Sequence, residues 1–267
     1  MKNILLALSI LAFVGCEEII ELDLNSTNSE IIIEANLTNN LENNIVKITE
    51  STDFFTPAAY KSISNAEVII KDNSGTSYIL EEIAEGEYKN NTLIANEEST
   101  YNIEVNYGGN NYSAQSYSPP SIKIDSLTYL LEDRPFGDQK KQLELHVYFQ
   151  DNHEQVNYAK FNIYNNGKRI KNIFLYDDRL TNGNYIDFFF FSFRDEEFVS
   201  GDVLTVELLS IDEQTNTYFK TLRKALTRSS GGPFGSSAPA NPITNWNNNA
   251  FGYFSASTIS TMEIVLQ

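Results

Sequence analysis

Three observations predict a mainly β chain carrying one helix. Apolar residues recur at every second position in short runs, turn sequences separate those runs, and a single segment changes to helical spacing. With 17 Phe and 15 Tyr in 267 residues, the chain can build a sizeable core.

The strands follow in order. Ile31, Ile33, Ala35 and Leu37 alternate with Ile32, Glu34 and Asn36. Ala66, Val68 and Ile70 repeat the pattern and run into Asp72-Asn73-Ser74-Gly75, with Tyr78 and Leu80 beyond, which predicts a hairpin. Tyr101, Ile103, Val105 and Tyr107 form the clearest strand of this half, and Gly108-Gly109-Asn110-Asn111 turns the chain into Tyr112, Ala114 and Ser116. Strands at this spacing predict an immunoglobulin-like β-sandwich over residues 29–118, without the cysteine pair and core tryptophan of antibody domains. Pro119-Pro120 stiffens an extended link and marks the expected domain boundary.

A second β-rich, sandwich-like domain is expected over 122–267. Leu143, Leu145, Val147 and Phe149 alternate with Glu144, His146 and Tyr148, and Asn165-Asn166-Gly167 predicts a tight hairpin. Phe188-Phe189-Phe190-Phe191 is too short to span a bilayer and reads as a strand buried on both faces. Tyr218, Phe219, Leu222 and Leu226 lie at helical spacing, which predicts a helix near 213–227 with Asp212 or Thr215 as its cap. The cations toward its end, Lys220, Arg223, Lys224 and Arg228, read as a solvated face. The segment 229–250 is rich in Gly, Ser, Pro and Asn and longer than an ordinary connection. It carries the only tryptophan, Trp246, with Phe234 inside it and Phe251 just beyond. These three are the candidate partner contacts. Trp246 either stacks on a sugar or a partner aromatic or pins the loop to the sandwich.

Ahead of the strands, Lys2, an apolar run over 4–14 and Gly15-Cys16 have the layout of a secretory signal. The leader resembles a bacterial lipoprotein signal, which implies cleavage after residue 15 and acylation of Cys16, the lipid anchor and the only cysteine. Glu17 and Glu18 resemble the surface-export signal of Bacteroidetes-type lipoproteins, and residues 16–28 read as an acidic tether. A formal net charge of −17 argues against nucleic acid as a partner.

Four stretches resemble domain-of-unknown-function 4249, a family of Bacteroidetes lipoproteins. They are CEEIIELDL, NAEVIIKDNSGTSYILEEIAEGEYKNNTL, VYFQDNHEQVNYAKFNIYNNG with LYDDRLTNGN, and GDVLTVELLSIDEQTNTYFKTLRKAL with NPITNWNNNAFGYFSAST. This chain has NWNNNA where the family often has a glycine-rich NIEGG-like stretch. The resemblance implies an outer-membrane lipoprotein facing the cell exterior, a companion of a TonB-dependent transporter or of another outer-membrane complex. The alternative is a free-standing adhesin or glycan-binding protein. No enzyme is expected. His146 sits on a polar strand face and His153 in a loop, and their spacing matches no metal motif. Asp177 to Asn184 offers oxygen ligands around a glycine but lacks the closing glutamate of a calcium-binding helix–loop–helix, so it reads as a solvated loop. No cofactor and no metal are expected.

Overall fold

The computed structural model describes residues 30–51, 60–133, 141–153, 155–179, 181–191, 193, 196–229 and 240–267. Cys16, Glu17, Glu18 and Phe234 fall outside them, as do the leader, the tether and residues 230–239 of the 229–250 loop. The described chain is mainly β with one α-helix, as the alternating runs predict.

The first half contributes β1 (Ile31–Thr38), β2 (Val46–Glu50), β3 (Lys61–Ser62), β4 (Glu67–Lys71), β5 (Ser77–Ala84), β6 (Glu87–Lys89), β7 (Ser99–Tyr107) and β8 (Asn110–Ser118). β5 turns a corner. Its first residues pair with β4, its last with β6, and the register slips between Glu82 and Ala84. The strands therefore wrap a core of Ile33, Ile48, Val68, Ile103 and Val105, which the alternation points inward.

The second half contributes β9 (Ile124–Asp133), β10 (Lys141–Gln150), β11 (Tyr158–Asn165), β12 (Lys168–Arg169), β13 (Phe174–Asp177), β14 (Tyr185–Phe190), β15 (Val203–Ile211), α1 (Glu213–Ser229) and β16 (Phe251–Val265). β14, β10 and β9 form a separate three-stranded sheet, while β11, β15 and β16 belong to the sheet that continues into the first half. Between the two sheets lies an aromatic core. Phe161 stacks on Phe188 at 5.1 Å, and Phe190 meets Phe174 edge-on at 4.7 Å.

β16 joins the halves. Its first part runs parallel to β1, from Ile32↔Phe251 to Thr38↔Ser257, and its second part runs antiparallel to β15, from Ser210↔Thr258 to Val203↔Val265. The expected division into 29–118 and 122–267 needs this addition. Residues 244–257 return to the first sandwich and complete it, because one 15-residue strand serves both. At Gly252, with φ +95°, a Cβ would stand 2.1 Å from the carbonyl oxygen of Ile33. Only glycine allows the strand that approach.

The helix is where its spacing places it. Of the two candidate caps, Asp212 holds the position, and its Oδ1 accepts the Thr215 N–H at 2.8 Å. Its Oδ2 accepts Ser116 Oγ at 2.7 Å and the Tyr117 N–H at 3.0 Å, so the cap also ties α1 to β8. Tyr218 and Phe219 pack on Tyr253 of β16, within the run 252–258 of that strand that is buried throughout. Arg223 and Lys224 are exposed, whereas Lys220 pairs with Asp177 at 2.9 Å.

Candidate functional site

Two surfaces stand out, and only one of them touches the 229–250 segment that the sequence singles out. Trp246 is 6 % exposed and packs within the first core. Its indole N–H donates to the Ile33 carbonyl at 3.1 Å. Of its two readings, the structure takes the pinning one, and as an exposed contact the residue is corrected. A ring of this size buries a large apolar area and satisfies its N–H only by turning inward. Phe251 is half-buried at the start of β16. Phe234 lies outside the described residues.

The asparagines beside Trp246 explain the NWNNNA stretch. Asn245 Oδ1 accepts the Phe254 N–H at 2.9 Å, and its Nδ2 donates to the Phe254 carbonyl at 2.8 Å and the Gln115 carbonyl at 3.2 Å. Asn247 accepts the Ser113 N–H at 2.7 Å and sends its own N–H to the Ser113 carbonyl at 3.0 Å. Side-chain amides here stand in for peptide groups and lace the edge of β8 to the β16 segment.

Above this seam lies an open groove of about 820 Å³. β7, β8, the first turn of α1 and residues 243–247 form it, and Asn102, Gln115, Gln214 and Asn245 line it with amides. Its charged members are Glu213 and the ion pair of Lys71 with Glu104, 2.8 Å apart.

The second surface is the outer face of the three-stranded sheet. Tyr185, Tyr148, His146, Phe189 and Phe191 stand in a row. Successive ring centres are 6.4, 6.1, 5.8 and 5.7 Å apart, and their planes lie within 29° of parallel. Tyr185 and Phe191 are each 57 % exposed and Phe189 is 50 % exposed. This corrects the reading of four phenylalanines buried on both faces. The run obeys the strand period, so Phe188 and Phe190 enter the core while Phe189 and Phe191 face outward.

At the centre of the row, His146 Nδ1 meets Asp187 Oδ1 at 2.7 Å and Nε2 meets Glu144 Oε1 at 2.8 Å. Burial of the ring opposes its charging, but the hydrogen bonds and charges of Asp187 and Glu144 outweigh that and raise its pKa above 6.5. The imidazole is therefore a fixed strut, with both nitrogens engaged, and not a free general base. His153 is exposed in the loop after β10. Among the described residues, no three His, Cys, Asp or Glu side chains gather as a metal cluster, and no helix is long and apolar enough to cross a membrane.

Sequence reasoning missed the row because consecutive Phe residues hide the alternation. The signal was present in Tyr185, Asp187, Phe189 and Phe191, spaced by two. A family model described as Domain of unknown function (DUF4249) matches residues 17–263. No curated protein and no solved structure matches the chain.

Proposed function

The chain belongs to the DUF4249 family, and on that premise we propose that it is a non-catalytic binding subunit held at the outer-membrane surface by lipid on Cys16. Its partner is an outer-membrane protein, in the first place a TonB-dependent transporter. The leader layout, Glu17 and Glu18 after the cysteine, and the acidic body support this placement. An acylated N-terminus confines the body near the membrane and raises its effective concentration beside any protein there.

The observation that carries the reading is the aromatic row. Monomeric proteins seldom leave such rings exposed in a line, and Tyr and Phe are enriched at the centres of protein interfaces. The rings are held by β-strands and by the His146 strut, so little conformational entropy is lost when a partner covers them. Photo-cross-linking in intact cells tests the reading. A photoreactive residue at Phe189 is expected to capture one outer-membrane protein, while the same group at Ile79, more exposed and on the first sandwich, captures none. Equal capture at both positions, or none at Phe189, contradicts it.

A glycan-binding reading has its own support in the amide-lined groove. Amides with a Lys71–Glu104 pair suit sugar hydroxyls, and Trp246 borders the groove. Quenching or a spectral shift of tryptophan fluorescence on adding surface glycans would favour it.

A further inference from the structure

At one end of the second sandwich, the loop after β10 and the loop after β13 clasp each other. The Asp151 N–H donates to the Asn184 carbonyl at 3.1 Å, and Gln150 Nε2 reaches the carbonyls of Gly183 and Asn184. Gly183, at φ +78°, lies so close that a Cβ would stand 2.8 Å from the Cβ of His153. Two carboxylates are sealed inside the clasp. Asp178 is 0 % exposed and Asp151 2 %.

Their partners do not neutralise them. Asp178 Oδ2 accepts the Asn157 N–H at 2.8 Å, but its Oδ1 is buried with no hydrogen-bond donor. Asp151 Oδ2 accepts the Gly183 N–H at 2.8 Å. Burial pushes the Asp151 carboxyl up, the Gly183 N–H pulls it back, and the charge of adjacent Asp178 adds to the rise. Asp151 also lies within hydrogen-bond reach of the Asp178 carboxylate and of the Asn152 N–H. Arg179, next to Asp178 in the chain, and Lys220 of α1 both pair with Asp177. An uncompensated pair of buried carboxylates is costly.

Three more oxygens join them. One end of the Asn157 amide stands 2.8 Å from the Asn152 carbonyl oxygen, 3.1 Å from that of Gln155 and 3.3 Å from Asp151 Oδ1. An inward nitrogen has two hydrogens for these three acceptors. An inward oxygen completes a shell. Oxygens bound to Ca²⁺ at about 2.3–2.6 Å stand about 3 Å from one another, the spacing found here.

We propose that the two loops close around one Ca²⁺ ion, held by Asp151, Asp178, Asn157 and the main-chain carbonyls of Asn152 and Gln155. The set is all oxygen, mixes carboxylate, amide and carbonyl, and comes from flexible loops, which suits calcium over the strict octahedron of magnesium. With two carboxylates the affinity belongs to the weak class, about 10⁻⁴–10⁻³ M, that extracellular modules show. The ion fixes the end of the sheet that bears Tyr185, one residue beyond Asn184. The proposal stands apart from the partner reading and does not need it.

Thermal unfolding of the purified mature chain tests it, in excess chelator and in 10 mM CaCl₂ or MgCl₂ alone. Calcium is expected to raise the Tm by roughly 4–8 °C and magnesium to do little. Terbium is expected to luminesce on excitation of Tyr176, whose phenol senses both Asp151 and Asp178, and calcium to displace it. Asp178→Asn is expected to abolish both responses while melting at or above the wild type in chelator, since it removes the uncompensated charge. A wild-type Tm indifferent to calcium together with dark terbium overturns the proposal, as does an undiminished calcium response in Asp178→Asn. Those results would assign the inward end of the Asn157 amide to nitrogen.

Discussion

Two polar junctions in this molecule, one partly exposed and one buried, use the same residue types and end differently. At the seam between β8 and β16, Asn245 and Asn247 place donors against carbonyls and acceptors against N–H groups. At the clasp between the loops after β10 and β13, one end of the Asn157 amide meets three acceptors, and Asp178 Oδ1 is buried with no donor. A junction whose donors and acceptors cancel is architecture. One with a surplus of buried acceptors is prepared for something positive. The same residue type, asparagine, serves in both, so composition does not separate them and only the arrangement does.

The largest expected effect breaks the pairing of β16 with β1 that stands behind the seam. Gly252→Ala drives a Cβ into the Ile33 carbonyl, the same oxygen that accepts the Trp246 indole. It should cost on the order of 4 kcal/mol or more, at the severe end of single substitutions. Urea unfolding with a midpoint near that of the wild type would remove that pairing from the account. Trp246→Ala follows, at about 3–5 kcal/mol for a large core ring, read from the same curves. Asn245→Ala leaves the Phe254 N–H and two carbonyls without partners and should cost about 1–3 kcal/mol. Its sign is opposite to that expected for Asp178→Asn in chelator, and that contrast of signs is the sharpest form of the comparison.

A smaller effect is expected at Lys160, which lies buried beneath α1, with Nζ 2.7 Å from Asn162 Oδ1 and 4.8 Å from the Phe219 ring centre. Burial lowers its pKa to about 7, with the nearby Arg169 charge adding to the fall and Glu207 opposing it. Between pH about 7 and the unfolded value near 10.4, the unfolded chain binds more protons, so this residue makes stability rise with pH. Lys160→Met should therefore stabilise the fold more at pH 6.5 than at pH 9.5. Equal gains at both would show that the lysine is not the source. The smallest effect belongs to Phe189→Ser, within about 0.5 kcal/mol because the ring is half in solvent.

Much of the fold is legible in the sequence because local chemistry determines it. Alternation marks β1, β7 and β10, Asn166-Gly167 turns β11 into β12, and Asp212 caps α1. What escapes is set by distant pairing. β16 joins β1 in parallel across more than 200 residues, and no local pattern announces that its first half serves another sandwich. The amides of Asn245 and Asn247 act as peptide mimics only once β8 lies beside them. Asp151 and Asp178 look like loop carboxylates until the topology buries them together. The aromatic row was half visible, since the period of two runs through Tyr185, Asp187, Phe189 and Phe191 while four consecutive phenylalanines conceal it.

The claim that the outer aromatic face is where a partner sits is tested most directly by co-purification from mildly solubilised outer membranes. Wild type is compared with the double variant Phe189→Ser/Phe191→Ser and with Trp246→Phe. Wild type and Trp246→Phe are expected to recover the same outer-membrane protein in fixed proportion, while the double variant, with an unchanged melting temperature, loses it. Recovery of that protein by the double variant at the wild-type level, or recovery of the wild type alone, would contradict the account.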